Sequence, residues 1–407
     1  MMKRLGIYIH IPFCLSKCRY CGFYSRGSAD KGEMDRYAAS LADDIKEYGK
    51  IYGKIPGRGC EDLALVGRDH EGADCEDPAP DGRDCAGRGR EDPGYTVDTV
   101  FIGGGTPSIL PPGAVSSLMD SLRSAFDIEA DAEITIESNP KTLTREKLLE
   151  YRRAGINRLS MGLQSFDDGC LRTLGRVHTA EDFLENFRLA RECGFDNINI
   201  DLMFAIPGHT MEIWEDTLER AVGLSPEHIS FYSLQIEEGT PFYEMFRRGE
   251  IDQIPDETDR LMYHRAIAVL KEAGYEHYEI SNAAKPGRQC RHNLKYWSME
   301  DYLGIGSGAS SFVNGVRFAE APLMEFHEND FDDTAGEFVF TGLRKTRGIC
   351  FDEFRALTGR DFWDVFADRR GELAQFFAAG QLVETAEGLR LSEAGIDISN
   401  AIMAVFV

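Results

Sequence analysis

Six short runs rich in apolar and β-branched residues recur along the chain, and helical stretches separate them. The runs are "GIYIHI" (6–11), "VDTVFIGGG" (97–105), "AEITIES" (132–138), "INRLSMGL" (156–163), "NINIDLMF" (197–204) and "HISFYSL" (228–234). Helical periodicity covers 34–52, 112–126, 144–154, 180–192, 210–222 and 256–273. Strands that alternate with crossover helices pair in parallel, so the fold class is α/β. Three helices end alike, "RRAGI", "RECGF" and "KEAGY", and Gly155, Gly194 and Gly274 read as their left-handed caps. Thr179 to Asp182 reads as a capping box. Six such units make either an open doubly wound sheet or a curved partial barrel. In both, the loops after the strands build the site.

Residues 54–94 break the pattern. They hold 8 Gly, 4 Pro and 17 charged residues, and almost no large apolar ones. Such a segment cannot bury enough surface to offset its ordering entropy, so a low-complexity, disordered insertion is expected. Beyond residue 290 the alternation fades. Residues 291–334, with "RHNLKYW" and a glycine-rich run, read as a linking segment. From 335 to 407, helices followed by a β-hairpin turning at "AEG" (386–388) read as a small α+β domain like a winged helix. The barrel domain is then 1–290.

The net charge of -24 works against non-specific nucleic-acid binding. No run of about 18 apolar residues is present, so no transmembrane segment is expected. The start "MMKRLGIYIHIPFC" alternates and stops at a proline, which reads as a strand rather than a signal peptide. A cytoplasmic location is expected. There the ten cysteines stay reduced, and clustered ones point to metal or redox chemistry.

One cluster stands out. Cys14, Cys18 and Cys21 form a C-x3-C-x2-C run directly after the first strand. "GGGTP" follows the second strand and Glu137 ends the third, so all three features fall on one rim. A structural zinc site wants four ligands, whereas three thiolates suit a [4Fe–4S] cluster with one iron left open. Gly103 to Gly105 let backbone amides approach a ligand closely. Glu137, Gln164, Arg176 and Asp201, at or just after strand ends, offer acceptors for hydroxyls or an amine and a donor fork for a carboxylate.

The motifs "YIHIPFC", "FIGGGTPS", "ESNP", "RLSMGLQSF", "LGRVH", "NIDLMFAIPG" and "HNLKYW", in this order, resemble those of the radical S-adenosylmethionine superfamily. Within it they resemble the oxygen-independent coproporphyrinogen III oxidase family and its haem-chaperone branch. The resemblance spans nearly the whole chain outside the insertion. It implies a partial (β/α)6 barrel with a C-terminal domain of that family. It also implies a [4Fe–4S] cluster on Cys14, Cys18 and Cys21, and S-adenosylmethionine held near Tyr8, Phe23, Gly104, Gly105, Thr106, Glu137, Gln164, Arg176 and Asp201. Phe23 and Tyr20 are expected to shield the cluster from water.

Two departures separate the chain from the oxidases it resembles. Phe23 stands where they carry a fourth cysteine, and Cys14 lies almost at the start, without their N-terminal extension. Both match the haem-chaperone branch, as does the HNxxYW motif. The implied partners are haem, with His292 as its expected ligand, and acceptor haem proteins, membrane-associated respiratory ones among them. His264, His277 and His327 are alternative ligands. Coproporphyrinogen III oxidase activity and another radical reaction remain open readings. Replacing residues 54–94 by a short Gly-Ser linker is expected to leave the melting temperature of the purified protein unchanged. Loss of folded protein would show that the segment packs.

Overall fold

The computed structural model describes residues 3–27, 30–53, 94–323 and 325–407. The insertion expected at 54–94 lies outside them, apart from Gly94. Strands β1 (Lys3–Ile11), β2 (Tyr95–Gly104), β3 (Asp127–Ser138), β4 (Arg158–Gln164), β5 (Ile198–Phe204) and β6 (His228–Ser233) pair in chain order. Every pairing among these six is parallel. Helices α1 (Lys31–Ile51), α2 (Ala114–Ala125), α3 (Arg145–Arg153), α4 (Asp168–Leu174), α5 (Ala180–Glu192), α6 (Met211–Gly223), α7 (Pro241–Arg247) and α8 (Asp256–Glu272) fall between or after them. Gly155, Gly194 and Gly274 adopt φ of 88°, 89° and 84°, as left-handed caps must. Both halves of the Thr179–Asp182 capping box are present.

Side chains alternate across each strand. One set is apolar and fully buried in the main core: Ile7 and Ile9, Val100 and Ile102, Leu159 and Met161, Ile198 and Ile200. The other set faces the interior and is largely polar. Glu137, Arg158, Ser160, Asn199, Asp201 and Ser230 line one internal cavity.

The sheet does not stop at six strands. At one end a hairpin of β7 (Glu276–Glu279) and β8 (Asn282–Ala284) pairs antiparallel with β6. Helix α9 (Arg291–Trp297) then leads to β9 (Tyr302–Ile305), which joins β1 in parallel. Strands β10 (Ser310–Val313), β11 (Val316–Ala319) and β12 (Phe326–Glu328) extend that edge antiparallel, making twelve strands. Within the 291–334 segment, residues 302–328 therefore supply four strands of the main sheet. These strands have only three or four residues, too few for a periodic signal.

The C-terminal region begins with α10 (Phe331–Gly342). It holds a three-stranded antiparallel sheet of β13 (Ile349–Cys350), β14 (Leu382–Glu384) and β15 (Gly388–Leu391), in the order β13-β15-β14. It joins the barrel through backbone bonds, Thr346 N–H to the Tyr278 carbonyl and Ile280 N–H to the Arg344 carbonyl, both 3.0 Å. No helix among the described residues is long and apolar enough to cross a membrane.

The turn after β2 brings two backbone segments close together at the rim. Gly105 N–H donates to the Ile11 carbonyl at 2.8 Å, and a Cβ there would lie 2.6 Å from the Phe13 carbonyl oxygen. Backbone cannot yield as a side chain can. Gly105→Ala is expected to destabilise the fold by about 1–3 kcal/mol, read as a lower urea midpoint at constant m. Gly223→Ala, in open space at the end of α6, is the control and should cost nothing.

Candidate functional site

The loop after β1 passes over the C-terminal ends of the strands. Residues Phe13–Cys14 pair in parallel with Arg26–Gly27, which closes the loop at its base. His10 fixes it from below. Its Nε2 donates to the Tyr24 carbonyl at 2.9 Å, so Nδ1 accepts from the Tyr8 hydroxyl at 3.0 Å. Burial lowers the His10 pKa and keeps this neutral tautomer. The middle of the loop is held by Arg19, whose N–H donates to the Leu174 carbonyl and whose carbonyl accepts from Phe242 N–H.

Cys14, Cys18 and Cys21 are half-buried and line one cavity of about 150 Å³. The Thr106 hydroxyl donates to Cys14 Sγ at 3.6 Å, and Arg176 Nη1 donates to Cys18 Sγ at 3.5 Å. Burial pushes the Cys14 and Cys21 thiols up; the Thr106 bond draws Cys14 partly back.

The same cavity is lined by Gly104, Gly105, Thr106, Glu137, Gln164, Arg176 and Asp201. The Glu137 carboxylate accepts from Gly104 N–H at 3.0 Å. Burial, with the neighbouring Asp201, pushes the Glu137 carboxyl up to about 8. Burial also raises Asp201, although Asn199 Nδ2 at 2.7 Å and the Ser160 hydroxyl at 3.3 Å donate to it. Two carboxyl groups thus share one enclosed space, which favours a ligand that brings donors or positive charge. Arg176 Nη2 donates to the Gly162 carbonyl at 2.7 Å and to Asn139 Oδ1. Arg176 Nε is buried with no partner among the described residues. Gln164 ends β4 with φ of 73°, a strained conformation of the kind that collects at ligand sites.

Three of the expected residues stand apart from the inner wall of this cavity. Phe23 is 71% exposed and projects at the rim of the cavity, so it does not cover the thiols. Tyr20 is half-buried against a small apolar cluster and lines the same cavity. Tyr8 lies outside the cysteine cavity, one layer further in, where it lines the internal barrel cavity. His292 is not presented to a ligand. It is 1% exposed, with Nδ1 bonded to the Thr99 hydroxyl and Nε2 to the Tyr296 hydroxyl, both 2.8 Å, and it stacks on Phe101. Burial drives its pKa to about 3. The motif sequence could not show this, because α9 turns His292 inward while Tyr296 and Trp297 line another cavity. The alternatives are engaged as well: His264 with Asp397 at 2.9 Å, His277 with the Ile280 carbonyl at 3.2 Å, His327 with Asp333 at 2.8 Å.

Sequence reasoning missed the polar floor below the cavity, Arg158, Ser160, Asn199 and Ser230. A signal existed. Polar residues or glycine recur at every second position: Arg158, Ser160, Gly162 and Gln164 in "RLSMGLQ", Asn199 and Asp201 in "INIDLMF", His228 and Ser230 in "HISFYS", where a parallel strand buried on both faces would be apolar throughout.

The comparisons with known proteins agree with this geometry. Residues 86–221 match the family model of the radical SAM superfamily, and residues 330–398 match that of the HemN C-terminal domain. The solved coproporphyrinogen III oxidase (HemN) of Escherichia coli has the same fold, with a TM-score of 0.78 at 23% identity, covering 100% of this chain and 90% of that one. Fold and rim therefore define a radical SAM protein. The heme chaperone HemW of Bacillus subtilis is 32% identical over 98% of both chains, and that of Escherichia coli is 34% identical over 99% of this chain and 98% of its own. The chain belongs to the HemW family.

The buried polar groups set an acid limit. His10, His178, His209, His228, His277 and His292 all have lowered pKa values through burial. Unfolded, each titrates near pH 6.5, so below that pH the unfolded chain takes up protons that the folded one refuses. Glu137, Asp201, Glu279 and Glu320 are raised and act with the opposite sign, but they are four against six. The melting temperature is expected to fall as pH drops from about 6.5 to 4.5, and to drift down gently above about 6.5 as the raised carboxyls ionise. A flat profile from pH 7 to 5 would contradict this.

Proposed function

We propose that the chain is a haem chaperone of the radical SAM fold, with a [4Fe–4S] cluster on Cys14, Cys18 and Cys21 beside a site for S-adenosylmethionine. The observation that carries this reading is the convergence of three thiols, a glycine turn, two carboxyl groups and one guanidinium on a single cavity. The donor set fits the groups proposed. All three thiols border the one cavity, as the ligands of a multi-atom cluster must. A bound cluster supplies redox-active iron with one coordination site open to an amine and a carboxylate.

The chain's own residues would do the following. The Thr106 hydroxyl and Arg176 Nη1 donate to the Cys14 and Cys18 sulfurs and so orient them. Glu137 and Asp201 accept from an amine or from ribose hydroxyls. Gln164 and the glycine turn close the sides. Phe23, standing where the oxidases have a further cysteine, sets the chain apart from coproporphyrinogen oxidation. Membership of the HemW family supports haem as the cargo. Haem would pass to acceptor haem proteins, membrane-associated respiratory ones among them. A cytoplasmic setting keeps the thiols reduced for iron.

Anaerobic reconstitution tests the cluster assignment. The wild-type chain is expected to hold about four irons and a brown chromophore. Cys14→Ala, Cys18→Ala and Cys21→Ala together should lose both while the protein stays folded by circular dichroism. Retention of iron by the triple variant would overturn the assignment.

A further inference from the structure

A second cavity, of about 840 Å³, opens beside the cysteine loop, between β1 and the added strands β9 to β11. Its size lies within the roughly 300–1,000 Å³ typical of pockets for large organic ligands. Its walls are aromatic, with Tyr296, Trp297, Tyr302 and Phe312 among them.

Several side chains at this cavity could in principle bind iron, and their bonds sort them. Tyr8 and His10 are bonded to each other, and the second nitrogen of His10 donates to the Tyr24 carbonyl. The Tyr296 hydroxyl is held by His292. The Tyr24 hydroxyl accepts from the exposed Arg26. Tyr302 differs. Its oxygen has one long contact, from Arg317 Nη1 at 3.4 Å, and donates to nothing among the described residues.

Tyr302 is also built into a rigid row. Its cross-strand partner on β10 is Phe312, whose partner on β11 is Arg317, so the three side chains stand side by side on one face. Arg317 lies over the Phe312 ring, 4.6 Å from its centroid. Glu337 on α10 clamps Arg317 with two bonds of 2.7 and 2.6 Å. The guanidinium therefore cannot swing away from the phenol. Burial raises the Tyr302 pKa, and the fixed Arg317 cation beside the phenol works against that rise, towards the anionic form in which tyrosine ligates ferric haem. Trp297 Nε1 is buried without a partner among the described residues. Lys17, at the edge, makes no ion pair among them. The Lys17 ammonium is a donor suited to a carboxylate.

We propose that this cavity is the seat of ferric haem, with the Tyr302 phenolate as the axial iron ligand, Arg317 bracing it, and Lys17 receiving a propionate. This rests on the haem-chaperone reading above and assigns its cargo site. On binding, the phenol O–H proton leaves to solvent as the Fe–O bond forms, and the iron stays ferric.

Hemin and iron-free protoporphyrin IX, titrated separately into the full chain, test it. Wild type should bind one hemin with a phenolate–iron vibration in resonance Raman. Tyr302→Phe should lose that vibration and bind hemin about ten- to hundredfold more weakly, yet bind protoporphyrin as wild type does. Tyr302→His should replace the phenolate signature by an imidazole one. His292→Gln should leave the wild-type spectrum in place. An unchanged hemin spectrum and affinity in Tyr302→Phe would overturn the ligand assignment, as would loss of the spectrum in Met299→Leu, since that thioether also lines the cavity. If wild type bound protoporphyrin and hemin not at all, the haem-chaperone reading itself would fall, a result distinct from either variant's.

Discussion

The working end of the molecule depends on how closely β2 approaches the end of β1. Gly105 lies against the Phe13 backbone, and Gly104, at φ 110°, lies against the His10 ring, where a Cβ would come within 2.7 Å. Because neither residue has a side chain, the β1–β2 ladder runs on past the last regular pair. Three placements follow. Thr106 arrives beside Cys14, the Gly104 amide reaches Glu137, and His10 is left free to hold the far end of the cysteine loop through Tyr24. A larger residue at either glycine would part the two strands where the thiols must meet the carboxyl groups.

Below that rim the barrel interior is costly. Asn199 bridges Ser160, Asp201, His228 and Ser230, and His228 bonds on to Tyr278. Arg158 is fully buried, and its Nε has no partner among the described residues. A buried polar group left unpaired costs on the order of 1–3 kcal/mol. The apolar outer face of each strand, packed under the helices, offsets this. The chain keeps a polar lumen that a fold selected for stability alone would have filled with leucine and valine, a common pattern at functional sites.

Local pattern explains how much could be foreseen. The strands, helices, glycine caps and capping box depend on neighbours a few residues apart, so periodicity and turn chemistry reveal them. Some cavity residues were legible too, because Glu137 and Gln164 sit at the ends of recognisable strands and Asp201 lies within one. Other features depend on distant pairings. The register that places Tyr302 opposite Gly6 joins residues nearly three hundred positions apart, and strands of three or four residues leave no period to read. The direction of His292 was hidden for a related reason. A motif names residue types, but only the packing of α9 against Thr99 and Phe101 decides which of them points inward.

Lys17, Phe23 and Ser25 border the cysteine cavity on one side and the aromatic cavity on the other. The cysteine loop is thus a party wall. Whatever stiffens it from one room spares the other room's occupant part of the entropy of ordering it, and by linkage the favour must be returned in equal measure. Two occupants that never touch would then sense each other through a single strip of chain, each arriving more readily, or less, according to whether the other is at home.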